Sequence, residues 1–295
     1  MNNFKYIVGL VFLIIITNIQ ITKAQDSLYT EETSPNLYHF NIDSITYVFV
    51  NMANIREQAN PNSALIDSIS LGTPVKIIQE NSQTFTEIKG MKLPWIKIEY
   101  QVNNQKKKGY IWAGLLSLDT KIDQKTGNKF IFGIAWKSNE IVKPYYWVEA
   151  KVLSKENNLL ASNSFPYYPF YQGYAYANLE NTNSILNSEN IYSITFTGEA
   201  CGIPTNTFQL AWNNNKLIPL PSLTSVSDAG IYYHEEELIF PQDHKKGKDL
   251  LYKRIEEGES EEDINDDSAS EIKYKIKKSE EIYQWNGDKW VLLSK

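Results

Sequence analysis

Between about residues 40 and 118 the chain never stays apolar for long. Short β-branched and aromatic runs alternate with turn residues. Strands so short and so closely spaced cannot cover a large flat sheet, but they can close into a small barrel of about five or six strands. Ile45-Thr46-Tyr47-Val48-Phe49-Val50 reads as a strand from its β-branched and aromatic content. Gly72 allows the positive φ of a turn and leads into Pro74-Val75-Lys76-Ile77-Ile78. Trp95-Ile96-Lys97-Ile98-Glu99-Tyr100 alternates as a half-buried strand should. Asn103 to Gly109 is a polar hairpin loop, and Tyr110-Ile111-Trp112 continues beyond it. Val75, Ile77, Ile96, Ile98 and Ile111 are predicted to fill the interior. Full burial of one such side chain stabilises by about 1.5–3 kcal/mol.

The rest of the chain is also β-rich. Phe130 to Trp136, Tyr145 to Val152 and Asn190 to Thr197 read as strands. Two later segments echo each other, Phe208 to Ile218 and Tyr283 to Leu292. Each runs strand, Trp, an Asn-containing tight turn, Lys, strand. The expected fold class is therefore all-β, a small barrel over 40–118 followed by a β-rich domain over 129–295. The second part is expected to be a sandwich or a partial propeller-like sheet stack, since a full propeller needs about four blades or more. Asp119 to Asn128 shows no apolar face and reads as a linker. Aromatic residues at 13% fit this β reading.

Residues 1–24 read as a signal peptide. Lys5 precedes the apolar run Tyr6 to Ile16, and Thr22-Lys23-Ala24 offers a cleavage site before Gln25. The run is too short for a membrane span of about 20 residues, and no transmembrane anchor is expected after cleavage. Residues 25–39 form a polar linker around Ser34-Pro35-Asn36. The expected location is outside the cytoplasm, periplasmic or secreted. The net charge is −6, and losing Lys5 and Lys23 makes it 27 − 35 = −8. That balance excludes a general nucleic-acid binder, which needs a basic stripe. One Cys excludes an internal disulfide framework, and three scattered His beside it give no structural metal set. No cofactor motif is present, neither a Gly-rich phosphate loop nor a Ser nucleophile elbow.

The 40–118 unit resembles the bacterial SH3-like (SH3b) domain. Ala53-Asn54-Ile55-Arg56-Glu57 looks like that family's N-[VIL]-R opening, and Ser63 to Ile66 like its short excursion. Leu71-Gly72-Thr73-Pro74-Val75 matches G-x-x-V, and Trp95-Ile96-Lys97-Ile98 matches W-x-K-[VI]. Gly109-Tyr110-Ile111-Trp112 resembles the closing strand, and Ala113 to Leu116 the terminal turn. A longer insertion between Ile78 and Trp95 departs from the pattern and lengthens a distal loop. The resemblance implies that Trp95, Tyr110 and Trp112 line a groove for an extended peptide or a glycan strand. The alternative is that these rings cover the barrel or seal its joint to the second unit.

Other chemistry is sparse. Cys201 and His234 are the candidate nucleophile and base of a cell-wall amidase or peptidase. Cys201 follows a strand, however, and Gly202 and Pro204 discourage the helix N-terminus that would activate a thiol. The Tyr- and Phe-rich run Phe165 to Tyr176 could stack on sugar rings or pack a core. Residues 256–271 hold nine acids and no base, and read as a self-repelling loop. An EF-hand beginning at Asp263 fails, with Ser268 in the Gly position and Tyr274 in that of the Glu ligand. The expectation is a non-catalytic binding or scaffold protein that contacts a peptide, peptidoglycan or an envelope protein.

Overall fold

Alternating burial organises the first sheet of the computed structural model, which describes residues 36–79, 81–140, 143–168, 173–182, 185–198, 200–214, 216–261 and 273–294. The expected leader, residues 25–35 of the expected linker and residues 262–271 of the acidic stretch lie outside them. The sheet holds β1 (Ile45–Tyr47), β2 (Met52–Arg56), β3 (Leu65–Ser70), β4 (Pro74–Ile77), β5 (Phe85–Ile88), β6 (Met91–Val102) and β7 (Gln105–Trp112). Its order is β1-β4-β6-β7-β2-β3, with β5 paired to β6. The two ends of this path meet through their connections. Gly72 N–H donates to the Val48 carbonyl (2.8 Å), Leu71 N–H to Asn51 (3.1 Å) and Val48 N–H to Thr73 (3.0 Å). The sheet thereby curls into a barrel. It has seven strands, more than expected, because the insertion after Ile78 folds back as β5 on the first part of β6. Val75, Ile77, Ile96, Ile98 and Ile111 are all buried inside.

A second sheet has the order β11-β10-β9-β8, from β8 (Asp119–Ile122), β9 (Lys129–Lys137), β10 (Tyr146–Leu153) and β11 (Leu159–Tyr167). The expected linker 119–128 is thus a strand and a tight turn. Its pairing partner supplies what its own polar sequence lacks, with Asp119 to Ile122 in register with Phe132 to Lys129. Asp119 also accepts the Ala177 N–H (2.8 Å). The linker expected at 25–39 is corrected at its end too, since Leu37 and Tyr38 are buried in the core.

The third sheet comprises β12 (Ala175–Asn181), β13 (Asn190–Phe196), β14 (Thr205–Trp212), β15 (Leu217–Pro219), β16 (Leu223–Asp228), β17 (Tyr232–Ile239), β18 (Leu250–Ser260), β19 (Tyr274–Trp285) and β20 (Trp290–Ser294). Its order is β12-β13-β14-β16-β17-β18-β19-β20, with β15 paired to β14. The echoing segments are both hairpins of this one sheet, β14–β15 and β19–β20, and not blades of a propeller. Glu256 to Ser260, placed in an acidic loop by the sequence, end strand β18. There Lys278 pairs with Glu256 (2.8 Å) and Lys277 with Glu257 (3.3 Å) across from β19. A short helix, α1 (Pro241–His244), joins β17 to β18. No helix among the described residues is long and apolar enough to cross a membrane.

The second sheet is covered on both faces, as the near-continuous apolar run of β9 demands. Phe130, Phe132 and Ile134 face the third sheet. Phe130 packs on Tyr192 (5.4 Å between ring centroids) and Phe132 on Phe196 (6.2 Å). On the other side Ile131 and Leu153 pack with Phe49 and Leu71 of the barrel. Lys151 Nζ donates to the Phe49 carbonyl (2.9 Å), lies over the Phe49 ring and pairs with Glu149 (3.1 Å). Gly133 leaves room for that ring, since a Cβ there would lie 2.9 Å from Phe49 Cδ1. One apolar cluster runs from Leu37 through the barrel and the second sheet to Leu217. The two expected domains therefore share a core.

Candidate functional site

Trp95 and Trp112 are directly opposite each other on β6 and β7. Both point to the outside of the barrel wall, yet only 3% of Trp95 and 1% of Trp112 is exposed. The β5 hairpin lies over them. Trp95 Nε1–H donates to the Thr86 hydroxyl (2.8 Å), and Trp112 Nε1–H to the Thr86 carbonyl (3.0 Å). Beneath Trp112, Gly114 has no side chain to obstruct the ring, because a Cβ would come within 2.1 Å of it. The insertion that departs from the family pattern thus seals two of the three rings expected to bind. Tyr110 alone remains half-exposed, with Lys97 Nζ 5.5 Å from its ring centre. The three do not form one open groove. Arg56 is structural in part, since its guanidinium donates to the Ser63 carbonyl (2.6 Å).

A cleft borders the barrel elsewhere. The cleft, of about 480 Å³, lies between β1 and β8, lined by His39, Phe40, Asn41, Ser44, Ile45, Thr46, Tyr47, Leu118, Asp119, Thr120 and Ile122. Its closed end is a hydrogen-bonded joint. Ser117 N–H donates to the Tyr47 carbonyl (2.9 Å), and Thr46 Oγ1 donates to the Ser117 carbonyl (2.8 Å). Beyond the joint no backbone hydrogen bond among the described residues joins the two strands, which belong to different sheets. The Ser44 carbonyl accepts Ile77 N–H, and Val48 N–H donates to Thr73. Antiparallel alternation then directs the backbone groups of Ile45 and Tyr47 away from β4. Those of Tyr47 meet Ser117, while those of Ile45 are directed toward the cleft. The Ile45 side chain is 63% exposed, and Ile122 is also exposed. The cleft therefore offers an unpaired strand edge with apolar anchors beside it. Sequence reading missed it because it assigned β8 to a linker.

Among the described residues no hydrogen bond joins Cys201 to His234. Cys201 is exposed in the turn after β13, where Gly202 N–H donates to the Ser227 carbonyl (2.9 Å). Both ring nitrogens of His234 face carboxylates, Nε2 toward Glu236 (3.3 Å) and Nδ1 toward Glu257 (3.3 Å). His234 and then Lys277 hold the Glu257 carboxyl below its ordinary range. Lys253 bridges Glu236 and Glu281 at 3.1 Å each, so these groups form an ion-pair network between strands. His244 is a turn ligand that accepts Lys246 N–H at Nδ1 (3.0 Å) and lies 3.1 Å from the Leu250 carbonyl at Nε2. Among the described residues no group of three or more His, Cys, Asp or Glu side chains could hold a metal ion.

No curated protein and no solved structure matches the chain. Residues 51–117 match the family model of the bacterial SH3 domain. That span runs from the start of β2 to the joint at Ser117, and with it the chain is identified as one that carries a bacterial SH3 domain, fused through its core to two further β-sheets.

Proposed function

We propose that the protein is an exported, non-catalytic binding protein of the bacterial envelope, in which the edge of β1, just ahead of the matched SH3 residues, holds an extended peptide segment. The segment comes from a peptidoglycan stem or from an envelope protein. The observation that carries this reading is the edge of β1, paired on one side only to β4, beside Ile45, Tyr47 and Ile122. An unpaired strand edge is satisfied by another backbone, and flanking apolar side chains choose its residues. The buried indoles of Trp95 and Trp112 then serve the fold, and the cleft replaces them as the contact surface. A signal-like N-terminus supports an exported chain.

The test is co-sedimentation of the full chain with purified peptidoglycan sacculi and with envelope extract, comparing wild type with Ile45→Glu. The exposed Ile45 tolerates a charge without loss of fold, so both proteins should melt alike. Ile45→Glu should abolish retention. Equal retention of the two proteins rejects the cleft, and no retention of either rejects the binding role. Hydrolysis of the sacculi by wild type and not by Cys201→Ala would replace the reading with the amidase or peptidase one.

A further inference from the structure

A second surface lies outside the SH3 domain, at the end of the second sheet. Along β9 the residues Phe130, Phe132 and Ile134 point to the core, and strict alternation would send Trp136 the same way. It does not go there. A bulge intervenes, so that Val148 pairs with Ile134 but Trp147 pairs with Trp136. The extra residue, Ala135, turns Trp136 to the outer face, a known use of bulges. Trp136 is 37% exposed there. It lies 5.7 Å from Trp147, with the two ring planes within 13° of parallel. Tyr145 packs edge-on against Trp136 (5.6 Å) and tilts against Tyr168 (5.6 Å). Tyr168 is 41% exposed, and Lys143 Nζ stands 4.3 Å from its ring centre. The barrel abuts this end of the sheet, where Lys137 N–H donates to the Lys89 carbonyl (3.0 Å).

Core packing gives no reason to turn a tryptophan outward. A flat apolar face with polar edges is what a pyranose ring presents, and parallel indoles rimmed by phenol hydroxyls complement it. The ammonium of Lys143, attracted to the Tyr168 ring, adds a positive charge at the rim. We propose that Trp136, Trp147, Tyr145, Tyr168 and Lys143 form a binding site for a carboxylated polysaccharide. Its sugar rings stack on the two indoles, and a carboxylate faces Lys143. This site is separate from the cleft at Ile45 and does not depend on it.

The experiment is native-gel affinity electrophoresis of the full chain, in gels containing alginate as the carboxylated polysaccharide or hydroxyethylcellulose as a neutral one. The chain carries a net charge of −6, so retardation by a polyanion runs against its overall charge. Alginate should retard the wild type. Trp136→Ala should weaken this by about tenfold or more, on the scale of removing one stacking ring from a π-face contact. Lys143→Glu, at an exposed position, should weaken alginate retention and leave melting unchanged. Ile45→Glu should leave alginate retention intact, so the two sites fail or hold independently. Absence of retardation by alginate overturns the proposal. So does retardation that both Trp136→Ala and Lys143→Glu leave unchanged, or stronger retardation by the neutral gel.

Discussion

Thr86→Val isolates the seal over the two buried tryptophans. Valine keeps the shape of threonine and removes one acceptor, the hydroxyl that takes Trp95 Nε1–H at 2.8 Å. Trp112 is untouched by this change, since its N–H goes to the Thr86 carbonyl. An indole N–H left unpaired in a site where 3% of the residue is exposed cannot turn to water. Stranding a buried donor costs about 1–3 kcal/mol. For a chain of this size that is a fall in Tm of roughly 2–12 °C. Calorimetry of wild type, Thr86→Val and Thr86→Ser is the assay. Serine keeps the acceptor and should recover most of the loss. A Thr86→Val protein within about 0.5 kcal/mol of wild type, the ordinary scatter of surface changes, would refute the seal. So would a serine variant as unstable as the valine one. A variant of unchanged stability but altered ligand retention would return Trp95 to the surface role implied by the family resemblance.

Three further outcomes follow from the same contacts. A fragment of residues 36–118 should show no cooperative melt by circular dichroism and should bind a hydrophobic dye, because its apolar cluster is completed by the second sheet; a sharp transition would show that the barrel folds alone. Lys151→Met should destabilise by about 1–3 kcal/mol in urea unfolding, as the buried Phe49 carbonyl loses its donor, and an unchanged midpoint would count against that joint. Burial tends to raise the Asp123 carboxyl, but bonds from the Thr126 hydroxyl and the N–H groups of Lys125 and Thr126 outweigh it and hold the group below its ordinary 3.8. That contribution is complete above 3.8 and is lost as pH falls through the lowered folded value. The Tm gap between wild type and Asp123→Asn should therefore be full at neutral pH and shrink below about pH 4; a gap that stays constant or widens in acid would reject the turn as its source.

Local alternation was enough to read the interior of the barrel. Val75 and Ile77 flank Lys76, Ile96 and Ile98 flank Lys97, and these four are buried, as is Ile111 between Tyr110 and Trp112. The two echoing hairpins were legible for a similar reason, since Asn213 and Asn286 cap their own turns through side-chain bonds to nearby N–H groups. Distant partners hid the rest. Nothing near Trp95 announces that Thr86 will cover it. Asp119 to Ile122 lacks an apolar face because its partners are the backbone of β9 and an N–H of β12. Trp136 looked like an ordinary strand residue, because a bulge appears only when two strands are set side by side.

The ammonium of Lys151 against Phe49 has a mechanical consequence. The barrel and the second sheet share that contact and one apolar cluster, so a force applied to the barrel wall would load the second sheet as well.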